Sequence, residues 1–255
     1  MLETLMRRHL NAARWLMVPR AVKRPRLRLI CLPYAGGNPD IFRPWVKHLD
    51  ADVELLAVRL PGRGSRIQEA PYDDWPSLTE DCLQVLEPFV SEPHAFYGHS
   101  FGGRLAYELI QRMQLASPCL TRRLFVSGCR SPDSPQARPY LHQLSKADFR
   151  RALKTMGATP SVVLESEEVL SLMLPALQSD MRLAEIWCDW HPVRLAIPVH
   201  VYYGHQDPVD NLASMAGWSN YTSSSCEFIG IDAGHFFLES NREQLLDHMT
   251  MRMRD

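Results

Sequence analysis

A serine with a glycine two positions to either side, Gly98-His99-Ser100-Phe101-Gly102-Gly103, is the first group in this 255-residue chain whose setting could do chemistry. A serine hydroxyl is a poor nucleophile at neutral pH and gains reactivity only beside a general base that a carboxylate orients. The apolar stretch Ala95-Phe96-Tyr97 reads as a strand leading into the serine. Leu105, Ala106, Leu109, Ile110 and Met113 then recur at helical spacing. A strand that turns sharply into a helix thrusts the serine out at its apex, and the flanking glycines permit the close backbone approach such a turn requires. Glycine-x-serine-x-glycine also arises by chance, so the strand before it and the helix after it carry the argument.

The base and acid are sought on the loops that follow other strands. Gly204-His205-Gln206-Asp207-Pro208 is a compact turn that presents Asp207, and Asp232-Ala233-Gly234-His235 ends on a histidine. Ser100, Asp207 and His235 fall in the chain order of the α/β-hydrolases. Asp133 is a rival acid one strand earlier, while His99 and His205 read as packing or loop residues. A tetrahedral intermediate also needs two preorganised N–H donors. The residue after the nucleophile, Phe101, supplies one. Ala35, in Pro33-Tyr34-Ala35-Gly36-Gly37-Asn38, is the candidate for the second, although the glycine pair also suits a plain tight turn.

These groups need a scaffold. Short apolar runs at Leu27 to Leu32, Val53 to Val58, Ala95 to Tyr97, Leu124 to Ser127, Val199 to Tyr203 and Glu227 to Ile231 alternate with helical intervals. Near-continuous apolar strands suit a sheet buried on both faces, with right-handed crossovers between parallel strands. The expected class is α/β, an α/β-hydrolase fold with a mostly parallel doubly wound sheet and catalytic loops beyond the carboxyl ends of its strands. Between Gly128 and Val199 lie about seventy residues, far more than a crossover needs. A helical lid is therefore expected over about residues 131–190. Ser145-Lys146-Ala147-Asp148 opens one helix there, through Met156, as a capping box with Asp in place of Glu. A second runs from about Glu167 to Trp187, with Pro175 as a kink. Most of its Leu/Met stripe suits ordinary core packing, but Met173, Leu177 and Met181 could line an acyl pocket beneath it.

Composition narrows the classes. A formal net charge of −1 gives no global electrostatic case for nucleic acid or an anionic membrane. The six cysteines are scattered, with neither a paired spacing nor a zinc-site pattern, as expected of reduced thiols in a cytoplasmic protein without metal. No apolar run is long enough to cross a bilayer. Residues 1–26 read as an extension: an amphipathic helix carrying Leu2, Leu5, Met6, Leu10, Ala13, Leu16 and Met17 with Arg7, Arg8 and Arg14 interleaved, then a linker from Arg20 to Arg26. The remaining residues, 27–255, are expected to form one domain.

With these residues in place, the chain resembles the type II thioesterases that accompany nonribosomal peptide and polyketide synthases, relatives of the medium-chain thioesterases of fatty acid synthesis. The resemblance rests on Leu32-Pro33-Tyr34-Ala35-Gly36-Gly37, Leu60-Pro61-Gly62-Arg63, the Ser100 motif, Leu174-Pro175-Ala176-Leu177-Gln178-Ser179-Asp180 and Gly234-His235-Phe236-Phe237-Leu238. Phe101 stands where the family often has methionine, Gln178-Ser179 replaces a more usual Arg-Ala, and the longer N-terminal segment leaves Met17 as an alternative start. The resemblance implies hydrolysis of acyl groups from the phosphopantetheine arm of carrier domains by a monomeric enzyme that needs no cofactor of its own. A medium-chain acyl thioesterase, a general carboxylesterase or acyltransferase, and a non-catalytic carrier-binding module are the alternatives.

Overall fold

The strands at the centre of the molecule are apolar on both faces, and the two sets of side chains go to different cores. A computed structural model describes residues 12–116, 120–136, 138–156, 166–189 and 193–254. Its seven strands are β1 (Leu16–Met17), β2 (Leu27–Leu32), β3 (Val53–Val58), β4 (His94–His99), β5 (Thr121–Ser127), β6 (Val199–Gly204) and β7 (Cys226–Ile231). They form one sheet in the order β1-β3-β2-β4-β5-β6-β7. Every pairing is parallel except that of β1 with β3. The alternation of side chains along a strand then separates the cores. Ile30, Leu32, Phe96, Leu124 and Val126 meet α1 (Trp75–Val90) and α2 (Phe101–Ala116) on one face. Leu29, Cys31, Ala95, Tyr97 and Phe125 face the opposite core, which contains Leu245, Leu246 and Met249 of the C-terminal helix (Arg242–Arg254).

The chain leaves β2 for β3 on one side and returns to place β4 on the other. The gap between the carboxyl ends of β2 and β4 is thus the topological switch point, where open α/β sheets place their ligands. The expected doubly wound sheet is present. The six strands read from sequence all exist, most of them a residue or more longer.

The N-terminal segment differs from expectation. Residues 1–11, which carry most of the anticipated amphipathic helix, lie outside the described residues, and residues 12–15 are helical. Leu16 and Met17 are strand, paired antiparallel to Val58 and Ala57 and buried. They cover the otherwise open edge of β3, a demand of the assembled sheet that helical periodicity does not reveal. Nor is the stretch from Arg20 to Arg26 a free linker. Arg20 donates to the carbonyls of Val46, Leu49, Asp50 and Val53, and Arg26 donates to Met253 O and Asp52.

Among the described residues, two α-helices lie in the long interval after β5: α3 (Lys146–Thr155) and α4 (Glu167–Ile186). Ser145 caps α3 by accepting from Asp148 N at 3.2 Å, and its hydroxyl donates to the Asp148 carboxylate at 2.7 Å. Pro175 is accommodated within α4. Leu141, Phe149, Leu153, Leu170 and Leu177 form a small core of their own beneath these helices. At the end of α4, Arg130 donates to the carbonyls of Ala184, Glu185 and Trp187, a cation at a helix C-terminus.

Candidate active site

β4 ends at His99 and α2 begins at Phe101, so a single residue makes the whole turn between them. That residue, Ser100, has φ of 54°, and among the described residues it alone is a non-glycine with positive φ. An L side chain held in the left-handed region is strained, and such strain persists only where the surroundings over-determine it. Here they do. A Cβ on Gly98 would lie 2.2 Å from the Gly102 carbonyl oxygen, and one on Gly102 would lie 2.1 Å from Leu32 O. Backbone from the elbow and from β2 is packed too closely for any side chain at these positions. The Ser100 amide is fixed by donation to Ser127 O at 2.8 Å.

The loops after β6 and β7 bring Asp207 and His235 together, with His235 Nδ1 2.7 Å from Asp207 Oδ2. The carboxylate needs a proton there, so the neutral ring carries it on Nδ1 and keeps a lone pair on Nε2. Asp207 Oδ1 accepts from Val209 N at 2.7 Å and Asp210 N at 3.2 Å, which fixes the carboxylate's rotamer. Both side chains are almost wholly buried, at 0% and 2% exposure, so water competes little for their hydrogen bond. Ser100 and His235 line the same cavity, and no direct hydrogen bond joins their side chains.

The rival residues are occupied elsewhere. Asp133 accepts from Ser131 Oγ at 2.5 Å and faces Gly217, where a Cβ would come within 2.3 Å of its Oδ1. His205 is exposed and packs over Gly230 beside the Tyr203 ring. His99 is a packing residue, as read, but it packs on the site itself, with its ring centroid 4.9 Å from that of His235. Ser127 Oγ bridges His99 Nδ1 at 2.8 Å and Tyr97 OH at 2.7 Å. Burial, reinforced by the neighbouring His235, holds His99 well below the ordinary histidine range, so it is neutral. Gly128, at φ 51°, leaves room for both rings, since a Cβ there would lie 2.9 Å from His99 Cε1 and 3.1 Å from His235 Cε1.

The loop after β2 supplies the facing wall. Gly37 N donates to Tyr34 O at 2.8 Å with Gly36 at φ 71°, the pattern of a type II turn with glycine at its third position. Among the described residues, neither the Ala35 nor the Phe101 amide has an acceptor. Phe101 is the first residue of α2, where an N–H has no partner within the helix. The cavity these loops enclose has a volume of about 310 Å³. Ala35, Met173, Leu177 and Met181 line it together with Ser100 and His235.

Residues 27–252 match the thioesterase domain family. The chain belongs to that family. Among its relatives, Thioesterase PikA5 of Streptomyces venezuelae is 32% identical over 88% of this chain and 80% of the relative. The solved type II thioesterase BorB, from the borrelidin biosynthetic cluster, superposes with a TM-score of 0.85 at 31% identity, covering 93% of this chain and 96% of its own. A protein of Brevibacillus parabrevis named linear gramicidin dehydrogenase LgrE is 32% identical over 93% of this chain and 92% of the relative. That name describes an oxidoreductase. In the present chain, the turn after β2 reads Pro33-Tyr34-Ala35-Gly36-Gly37, without the spaced glycines of a dinucleotide fingerprint, and the elbow after β4 carries a serine.

Several residues of the thioesterase site escaped the sequence reading. Ile41, Leu153, Met156 and Phe236 also line the cavity, and Glu239 stands at its mouth, accepting from Tyr34 OH at 2.8 Å. Leu153 falls on the helix that Ser145 caps and Met156 is its C-cap, so their spacing held a usable signal. Glu239 lies in the short helix Phe237–Ser240 and carries no local signal of its own.

Proposed function

We propose that this thioesterase hydrolyses short acyl or aminoacyl thioesters on the phosphopantetheine arm of synthase carrier domains, with Ser100 as nucleophile, His235 as general base and Asp207 as the acid that orients it. The carrying observation is that a strained, half-buried elbow serine and a buried Asp207–His235 pair at 2.7 Å open onto one apolar cavity. His235 Nε2 takes the Ser100 proton as Oγ attacks the thioester carbonyl. The carbonyl π pair moves to oxygen, where the Ala35 and Phe101 amides receive it. Collapse breaks the C–S bond, and the imidazolium returns its proton to the departing sulfur. Water, deprotonated by His235, then attacks the acyl ester, and collapse releases the acid as the imidazolium returns its proton to Ser100 Oγ.

A volume near 310 Å³ lies at the floor of the range for ligand pockets, which favours a short chain over an assembled peptide. BorB is named as a type II thioesterase from the borrelidin biosynthetic cluster, which supports a carrier-bound substrate here. The test compares release of free thiol from an acyl-carrier thioester with hydrolysis of the matched oxygen ester. Ser100→Ala is expected to abolish both while the circular dichroism spectrum is retained. Turnover by the alanine variant, or faster turnover of the oxygen ester by the parent, would overturn the reading.

A further inference from the structure

The helix over the cavity is joined to the turn proposed to bind the oxyanion. Asp180 of α4 forms a bidentate ion pair with Arg63, from the loop after β3, at 2.6 and 3.1 Å. Both side chains are 5% exposed. Its Oδ2 also accepts from Gly36 N at 2.8 Å, and Arg63 donates to Pro61 O and Gly37 O. The contact surface is equally close: a Cβ on Gly36 would lie 2.9 Å from Leu177 Cδ1, and one on Gly62 would lie 2.8 Å from Ala176 Cβ. Thus Ala176, Leu177 and Asp180, one face of α4, press on the loops after both β2 and β3.

The Gly36 N–H belongs to the central peptide of the Tyr34–Gly37 turn. In a type II turn this peptide is rotated by about half a revolution from its type I orientation, a flip that changes ψ of Ala35 and φ of Gly36 and leaves φ of Ala35 at about −60°. With the type II orientation, Gly36 N–H meets the Asp180 carboxylate. The flipped orientation would instead turn the Ala35 carbonyl toward that buried negative charge. From this we infer that Asp180, held by Arg63, is a positioning residue that anchors the Tyr34–Gly37 turn on α4 and so holds the Ala35 amide in place for the developing oxyanion. The inference rests on the proposed serine mechanism. It adds a role for α4: the helix that bounds the acyl cavity also sets the oxyanion site, so the two are assembled together.

A trifluoromethyl ketone analogue of the acyl group tests this, because its Ser100 adduct places a negative oxygen where the intermediate's would be. Product carboxylic acid serves as the ground-state probe. If wild-type enzyme is not inhibited by the ketone in a Ser100-dependent manner, the serine mechanism itself fails. Given that inhibition, Asp180→Asn is expected to weaken ketone binding and kcat/KM in parallel, by about tenfold or more, with KM and acid affinity little changed. The single variant leaves Arg63 buried without its partner, so Arg63→Met/Asp180→Leu is measured beside it. Replacing both members of a buried pair with apolar groups often restores stability. The double variant is expected to regain thermal stability and keep the ketone-binding loss. Recovery of ketone affinity together with stability, or an Asp180→Asn enzyme that binds the ketone as wild type does, would overturn the assignment.

Discussion

His235 meets one carboxylate and not the other, and this choice is measurable. Asp207→Asn leaves the ring in place but removes the charge that fixes its tautomer and stabilises the imidazolium. A loss of about 10⁴ in kcat is expected, the scale seen when a triad aspartate is so changed. Asp133→Asn is expected to retain turnover, since its carboxylate faces Ser131 and Gly217. A second residue-scale consequence concerns acid. Burial pushes His200 down to about 4 against the pull of Glu227, and His99 lies well below its usual range. Unfolding returns both to about 6.5, so the unfolded chain binds more protons below that pH. Their contribution to stability is full above pH 6.5 and declines as pH falls, for His200 down to about 4. Urea unfolding at pH 7 and pH 5 is expected to show a fall in stability of which His200→Gln removes about 2 kcal/mol.

Among the elements, β1 is the shortest and the one most dependent on its surroundings. Two residues make no strand alone, and Leu16 and Met17 hold their conformation because the edge of β3 offers both ladder partners and an apolar bed. Leu16→Ala is expected to lower unfolding stability by about 2–4 kcal/mol, the cost of emptying a buried leucine site, measured by the urea midpoint. An exposed helical leucine would cost a few tenths, so the measurement separates strand from surface helix. The elbow shows the same logic at its extreme, with the strain at Ser100 sustained by Gly98 and Gly102 packed against backbone from α2 and β2.

For the whole molecule, the cavity is an assembly of parts far apart in sequence: the turn after β2, the elbow, the His235 loop and the two helices of the long interval. No helix among the described residues is long and apolar enough to cross a membrane. Chain-length preference should follow the side chains that line the cavity, Met173 among them. Met173→Ala is expected to move the best acyl chain longer by about two methylenes, read as kcat/KM across a series of acyl-pantetheine thioesters. An unchanged profile would show that Met173 does not bound the acyl chain. Because Asp180 couples the same helix to Gly36, substitutions deeper in α4 should move chain-length preference and turnover together.

Local physics made much of this legible from sequence alone. Apolar strands, the helical run after Gly103, the Ser145 cap and the turn after β6 each depend on neighbours a few residues away, so residue type and spacing sufficed to place Ser100, Asp207 and His235 on strand-end loops. Contacts between distant segments left no such trace. The edge pairing of Leu16, the packing of His99 on His235, Glu239 at the mouth and the Asp180–Arg63–Gly36 junction exist only once the sheet has brought its loops to one end. In each case the deciding energy is a long-range contact: an edge to be covered, a buried charge to be paired, an N–H to be satisfied. The amino-acid order therefore determined which groups could react and on which turns they stand, and only tertiary packing decided which of them meet.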